Sequence, residues 1–498
     1  MTKIVKNANL SILLVLGLVA FFRGIFFLDP DFGWHLRLGQ FILSHGIPAT
    51  DPFSYTMPSY SFIDHEWLTN VLINLVYNVA GIYWLSLIFA VLFILALFIA
   101  IPKKFKRFSF FPLLLAGSLM FDFVGIRTQI ITVFFLSILL RIIFDEDLWE
   151  KWKYLLPLIF IPWVNLHGGF AIGIALLFVF LLAKSIEKRK FNYGCLRVFL
   201  FSLILTFLNP YGPRIWWEVW MQVSDSSLRW SIQEWMPAFL HPGPAMISLF
   251  ALSLAFVFIY RKKINFSKII IYLFLMLMAI SSIRHVLLWA LSAILITAEA
   301  LFFFKREVGS NKESLKRLNK VKKVLVVILL LIFLLQAWMT LADAFNFREQ
   351  QLYPVQAVKF LSRQNFQGNL FTDYNFAGYV LWKLPNKKDF IDGRMPSWRR
   401  NGVYPNESNY AFKDYQKMIS DENFTKKMFQ KYNIQYVLWA VEQVSQEKQP
   451  ALAVKIDNFL NRFVNLDSGT SSKSADEVLT KLGLKKIYDD HRFAIYKR

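Results

Sequence analysis

A single cysteine in 498 residues excludes an internal disulfide framework, and that thiol, Cys195, stands beside Arg197 at the start of an apolar run, an ordinary membrane-embedded side chain. Charge is scarce as well. Asp, Glu, Lys and Arg make up 18% of the chain, against roughly a quarter in soluble domains, which excludes both a soluble globular enzyme and a disordered segment. No small-x-small cleavage site follows the apolar stretch after Lys3 and Lys6, so the N-terminus reads as an uncleaved first span. Internal repeats and low-complexity tracts are missing too. What remains is 56% hydrophobic, with 51 Phe and 16 Trp, yet it carries a net charge of +22. Such a balance fits nucleic-acid binding, or a membrane protein with basic inner loops.

The position of the positive charge decides between them. A hydrocarbon core of about 30 Å takes roughly 20 apolar residues per helix. Runs near that length fall at 8–28, 82–101, 109–125, 129–144, 154–170, 170–183, 196–209, 244–260, 267–283, 286–304 and 324–343, eleven in all. A further partly apolar helix, Glu66 to Ala80, reads as interfacial or re-entrant. With these spans the basic clusters (Lys3/Lys6, Lys103 to Arg107, Lys184 to Lys190, Arg261 to Lys263, Lys305 to Lys323) share one face, which the positive-inside rule makes cytoplasmic. Loops on the other face hold no lysine before residue 343; their cations are Arg37, Arg127, Arg214, Arg229 and Arg284. Nucleic acid is not needed to explain the charge.

The expected fold is therefore mainly α: a polytopic bundle over residues 1–343, with long outer loops at 29–66 and 210–243. In the first loop, apolar residues at 34, 38, 41 and 42 predict an amphipathic interfacial helix, stopped at His45-Gly46-Ile-Pro48. The second carries Trp216, Trp217, Trp220, Trp230 and Trp235, a composition suited to the headgroup level. Residues 344–498 read as an extracytoplasmic α/β domain. Helices are expected over Pro354–Gln364 and Ala451–Asn461, and strands over Asn369–Tyr374, Lys388–Asp392 and Tyr432–Trp439. A β-pair at 484–497 closes the chain.

Ionisable and polar groups beside membrane spans are candidate sites by default. They gather at the outer mouth: Asp29 and Asp31, Arg127-Thr-Gln129, Asn165-Leu-His167-Gly-Gly, Asn209-Pro-Tyr211-Gly212, Glu234-Trp235 and Arg284-His285. Each has a plainer explanation, since turns favour Asn, Pro and Gly and arginines snorkel. Six constellations on one face nonetheless favour a common cavity. An aspartate there can deprotonate a hydroxyl or hold a divalent metal. Arginine, unlike lysine, grips phosphate bidentately.

The Asp-x-Asp at the end of the first span, with a helix in a long first outer loop, resembles the GT-C superfamily of integral-membrane glycosyltransferases. That superfamily includes oligosaccharyltransferases, protein O-mannosyltransferases and aminoarabinose transferases. Asp31-Phe-Gly-Trp34-His35, His45-Gly-x-Pro-x-x-Asp51-Pro-Phe-Ser-Tyr-Thr56, His65-Glu66-Trp67, Asn165-Leu-His-Gly-Gly-Phe170, Asn209-Pro-Tyr-Gly212 and Phe390-Ile-Asp392-Gly-Arg394 resemble a group of bacterial multi-span proteins of this type. The resemblance implies transfer of a sugar from a polyprenyl-phosphate donor at the outer face of the cytoplasmic membrane. Asp31 matches the catalytic aspartate best, with Asp29 in reserve. Arg127, Arg284 and Arg37 would bind the donor phosphate, and Trp34, His35, Glu66, Asn165, His167, Tyr211, Glu234 and His285 would line the pocket. A divalent metal, Mg or Mn, on Asp29 and Asp31 stays open. The Trp-Trp-Asp motif of oligosaccharyltransferases and the Asp-Glu pair of O-mannosyltransferases are both missing. Asp392-Gly-Arg394 reads first as an internal pair or turn cap, and otherwise as acceptor-binding. The competing function is a transporter or flippase of lipid-linked saccharides, which calls for polar residues at mid-membrane and on the inner half; Asp122 and a few Ser and Thr are what that region offers.

Overall fold

The computed structural model describes residues 2–240, 242–308, 312–347, 349–364, 366–441 and 479–498. They are mainly helical, with one small sheet. The chain forms two compact units that cut across sequence order. One comprises Met1–Leu28, Val76–Val219 and Arg229–Asn346, the other Asp29–Leu75, Trp220–Leu228 and Phe347–Arg498.

The first unit is a helical bundle. Five helices among the described residues are long and apolar enough to cross a membrane: Asn9–Phe26, Trp67–Ala100, Phe170–Glu187, Ile283–Glu307 and Val324–Asn346. Six shorter apolar helices, Phe110–Phe123, Gln129–Ile143, Leu156–Leu166, Tyr193–Leu205, Pro244–Tyr260 and Phe266–Ser281, coincide with the remaining hydrophobic runs. The Ile283–Glu307 helix lies at the centre, its window 83% buried, whereas Val324–Asn346 is only 11% buried. Leu325, Ile328, Leu331, Ile332, Leu335 and Trp338 all stand exposed along that helix. An apolar surface of this extent cannot face water, and lipid is its natural solvent. The protein is an integral membrane protein.

Of two expectations for the bundle, one is met and one changes. The expected helix at Glu66–Ala80 is met: within Trp67–Ala100 the part up to Ala80 is divided from the following span by Gly81, whose φ +78° and ψ −177° are not helical, a torsion that glycine adopts without a Cβ clash. The polar content of the bundle is larger than the apolar runs suggested. Lys268 and Glu299 form a buried ion pair, Nζ to the two carboxylate oxygens at 2.9 and 2.8 Å. Both had been absorbed into apolar runs.

The second unit carries the sheet. Its strands are β1 (Asn369–Thr372), β2 (Ile434–Ala440), β3 (Lys485–Asp489) and β4 (Phe493–Lys497), in the order β1-β2-β4-β3. β1 and β2 are parallel, whereas β2–β4 and β4–β3 are antiparallel, so the expected terminal β-pair becomes the β3–β4 hairpin. The helix expected near 354–364 spans Val355–Ser362. Lys388–Asp392 is not a sheet strand. Its single bridge joins Asp389 to Ser54, because the loop at 51–56 takes its backbone groups: Asp389 N–H donates to Phe53 O and Tyr55 N–H to Asp389 O, each at 3.0 Å. The helix expected over Ala451–Asn461 lies outside the described residues.

The first-loop helix spans Phe32–His45 and ends at Gly46, φ +82°, as the glycine predicted. Arg37, Gln40 and Ser44 keep a partly exposed polar edge, but most of the helix is packed. Phe32, Gly33, Trp34, His35, Leu36, Leu38, Gly39 and Ile42 are all buried. Gly33 abuts the backbone of Gly378 in the Tyr374–Lys383 helix, and Gly39 abuts the backbone of Asn70. The two glycines let neighbouring backbone approach the helix closely on those sides.

Candidate active site

The expected site residues divide between the two units. Asp29, Asp31, Trp34, His35, Arg37 and Glu66 belong to the sheet-bearing unit; Arg127, Asn165, His167, Tyr211, Glu234, Arg284 and His285 belong to the bundle.

Asp31 immediately precedes the Phe32–His45 helix, but its side chain does not cap it. Its Oδ1 accepts from the Trp34 indole at 2.8 Å, while its backbone N–H donates to Asp29 Oδ1 at 3.0 Å. The Asp-Pro-Asp turn thus orders itself: one carboxylate fixes the backbone, and the next is held by the indole one turn on.

Behind this pair lies a chain of side chains that the sequence did not announce. Asn70 Nδ2 donates to Asp64 Oδ2 at 2.8 Å, so Asn70 Oδ1 faces His35 and accepts from its Nδ1–H at 2.6 Å. Burial holds His35 neutral, its pKa lowered to about 4. Burial likewise pushes Asp64 up to about 6, against the hydrogen bonds from Glu66 N–H and Asn70. Glu66 Oε2 lies 3.8 Å from His35 Nδ1 and its Oε1 3.6 Å from His65 Nε2. Arg37 is engaged within its own unit, donating to Gln40 Oε1 at 2.8 Å and Pro385 O at 3.0 Å. A signal existed in the sequence: Asn70 follows Glu66 by one helical turn, and Asp64 precedes that turn.

In the bundle, Arg127 Nη1 lies 3.8 Å from Glu234 Oε1, and Gln129 Nε2 donates to Glu234 Oε2 at 3.4 Å. Arg284 stacks over Trp235 at 5.0 Å, and Ser282 Oγ donates to the Glu234 carbonyl. Two of the expected phosphate-binding arginines therefore meet around Glu234-Trp235. His167 Nδ1 accepts from Gly169 N–H at 2.9 Å and from Thr132 Oγ1, 2.8 Å away, which itself accepts from Trp163 Nε1 at 3.0 Å. That pattern places the imidazole proton on Nε2. Gly169 is needed for close approach, since a methyl there would overlap Thr132 Oγ1. Asn165 bridges two helix ends, donating to Ile161 O and Leu208 O. Asn209 builds the turn that contains Tyr211, accepting from Tyr211 N–H at 2.8 Å and donating to Gly212 O at 3.0 Å. His285 Nδ1 stands 3.3 Å from Met278 O.

Among the described residues, no three His, Cys, Asp or Glu side chains are placed to hold a metal ion. Asp29 Oδ1 and Asp31 Oδ1 both accept hydrogen bonds from within their own turn.

Comparison with known proteins gives a likeness in structure alone. No family model matches the chain, and no curated protein matches it in sequence. An oligosaccharyltransferase, AglB from Archaeoglobus fulgidus, solved in complex with an inhibitory peptide and a dolichol-phosphate, superposes with a TM-score of 0.58 at 11% identity, over 87% of this chain and 69% of that one. A structure of the same organism's enzyme with Zn and sulfate gives 0.53 at 12% identity, over 87% and 68%. ArnT from Cupriavidus metallidurans, bound to undecaprenyl phosphate, gives 0.55 at 10% identity, over 98% of this chain and 97% of that one. This chain has the fold of the integral-membrane GT-C glycosyltransferases.

Proposed function

We propose that the protein is a glycosyltransferase that moves a sugar from a polyprenyl-phosphate-linked donor to an acceptor at the outer face of the membrane. The observation that carries this is the Asp31 carboxylate, fixed by the Trp34 indole at the head of a buried first-loop helix, in a chain with this fold. In the step envisaged, the acceptor hydroxyl oxygen bonds to the anomeric carbon and its proton passes to Asp31. The anomeric C–O bond breaks, and the polyprenyl phosphate departs with the electron pair. Arg127 and Arg284 bind the donor phosphate, with Glu234 holding Arg127 when the donor is away. Asp29 fixes the turn, which makes it a positioning residue in place of a second base. His35, neutral and held by Asn70, lines the acceptor side with Glu66. The topology proposed has eleven spans, a cytoplasmic N-terminus and an extracytoplasmic C-terminal domain.

Two of the structural neighbours support the donor class: one was solved with a dolichol-phosphate and another with undecaprenyl phosphate. The test is Asp31→Asn in membrane vesicles supplied with polyprenyl-phosphate monosaccharides labelled in the sugar. Transfer of label out of the lipid fraction should fall by at least about 100-fold at unchanged expression, the range of positioned acid–base groups. Undiminished transfer would sink the assignment.

A further inference from the structure

Phe390-Ile-Asp392-Gly393-Arg394 has no place in the chemistry above, yet it touches the residue at its centre. A methyl on Gly393 would overlap Asp31 Oδ1 outright, and would come within 2.9 Å of Trp34 Nε1 and 3.1 Å of Asp31 Cγ. A methyl on Gly378 would stand 2.9 Å from Pro30 O and 3.1 Å from Trp34 Cδ1. Neither glycine has a positive φ, so an L-residue's backbone would be tolerated at both; space alone excludes a side chain. The two glycines approach the same short segment, Pro30 to Trp34, from a helix and from a turn distant in sequence.

The turn that carries Gly393 is itself pinned. Asp392 Oδ1 accepts from Arg394 N–H at 2.8 Å and from its Nε at 2.9 Å. Arg394 Nη1 reaches Asp51 Oδ1 at 2.9 Å, and Asp51 in turn accepts from Ser54 N–H at 2.8 Å. Thr56 Oγ1 donates to Phe390 O at 2.6 Å. Arg394, Asp392 and Asp51 are all buried, with Arg394 stacked over Phe53 at 5.0 Å. A rigid support of this kind transmits a displacement in place of absorbing it.

We infer that Gly393 and Gly378 are positioning residues: the C-terminal domain presses its backbone against the first-loop turn and so sets where the Asp31 carboxylate sits and which way it faces. The inference rests on the proposed role of Asp31. A reacting group tolerates about 0.5 Å of misplacement, and 1 Å can cost about 100-fold in rate. A methyl at Gly393 must displace Asp31 by a comparable distance or break its bond to the indole.

The experiment compares Gly393→Ala, Trp34→Phe, the double variant and Asp31→Asn in the full-length protein, with the labelled polyprenyl-phosphate monosaccharides as donors and thermal unfolding as the check on folding. Gly393→Ala should lower kcat at least about 10-fold while the donor KM stays within about twofold. The acid limb of its pH–rate profile should move upward, because a carboxylate that loses the indole N–H is easier to protonate. Trp34→Phe removes that N–H without crowding and should move the limb the same way. The double variant should be little worse than the poorer single, the non-additivity of two changes to one interaction. An inactive Asp31→Asn beside a Gly393→Ala variant with unchanged kcat and limb would overturn this inference alone. Additive losses with an unmoved limb would do so too. A fully active Asp31→Asn would overturn the catalytic assignment first. If Gly393→Ala does not fold, Gly378→Ala and Trp34→Phe carry the same comparison.

Discussion

Replacing Arg394 by methionine should cost the sheet-bearing unit more than any other single substitution considered. The guanidinium is 2% exposed and bonds Asp392 and Asp51, which are fully buried as side chains. Phe53, Phe62 and Trp398 surround it at 5.0, 5.5 and 5.6 Å. Methionine fills much of the volume but strands two carboxylates, beside a third, Asp389, whose acidity burial and Asp392 already weaken strongly. Breaking a buried pair from one side costs about 3–5 kcal/mol. For a folding unit of this size that is a fall in Tm of roughly 10 °C. The loss must depend on pH. Without Arg394, the carboxylates of Asp51 and Asp392 stay buried with no counter-charge. Protonation relieves a stranded buried charge, so the cost is greater at high pH than at low. Scanning fluorimetry of wild type and Arg394→Met across pH 4 to 8 would read this directly. Adding Asp51→Asn and Asp392→Asn should restore much of the loss, because neutral amides do not need a buried cation. A Tm within about 2 °C of wild type at pH 8, or a deficit independent of pH, would refute the reasoning.

Asp64, pushed up to about 6 from an ordinary 3.8, contributes stability below pH 4 that is lost as pH rises to about 6, on the order of 3 kcal/mol. Asp64→Asn should therefore gain on wild type between pH 4 and 7 in thermal-unfolding scans; a constant difference would contradict it. His35, lowered to about 4, acts in the opposite sense: its neutral form stabilises above pH 6.5 and that contribution is lost as pH falls towards 4. His35→Asn should flatten the acid side of the same curve, and an unchanged acid side would count against a buried neutral imidazole. In the bundle, Lys268→Met alone should lower the Tm in detergent more than Lys268→Met with Glu299→Leu, since the double change leaves no stranded charge. A double variant worse than the single would mean that the pair is held by more than its own attraction.

Hydropathy and lysine placement, read along the chain, located every apolar helix of the bundle, because lipid demands long uninterrupted runs and the demand is local. Local chemistry likewise showed the first-loop helix with its stop at Gly46, the Val355–Ser362 helix and the strands β1 and β2. It also singled out Asp31 and Asp392-Gly-Arg394 as separate curiosities. Three things were decided only by the tertiary structure. Lys388–Asp392 left the sheet because a loop more than 300 residues earlier takes its hydrogen bonds. His35 turned inward because Asn70 offered its amide oxygen. Asp392-Gly-Arg394 met Asp31 because two glycines leave room for backbone to touch backbone and side chain. Periodicity records which face of an element is greasy, but not which distant polar group will satisfy a buried one. That pairing is a property of the folded chain, where the cost of burying a polar atom is met by whichever partner the packing brings.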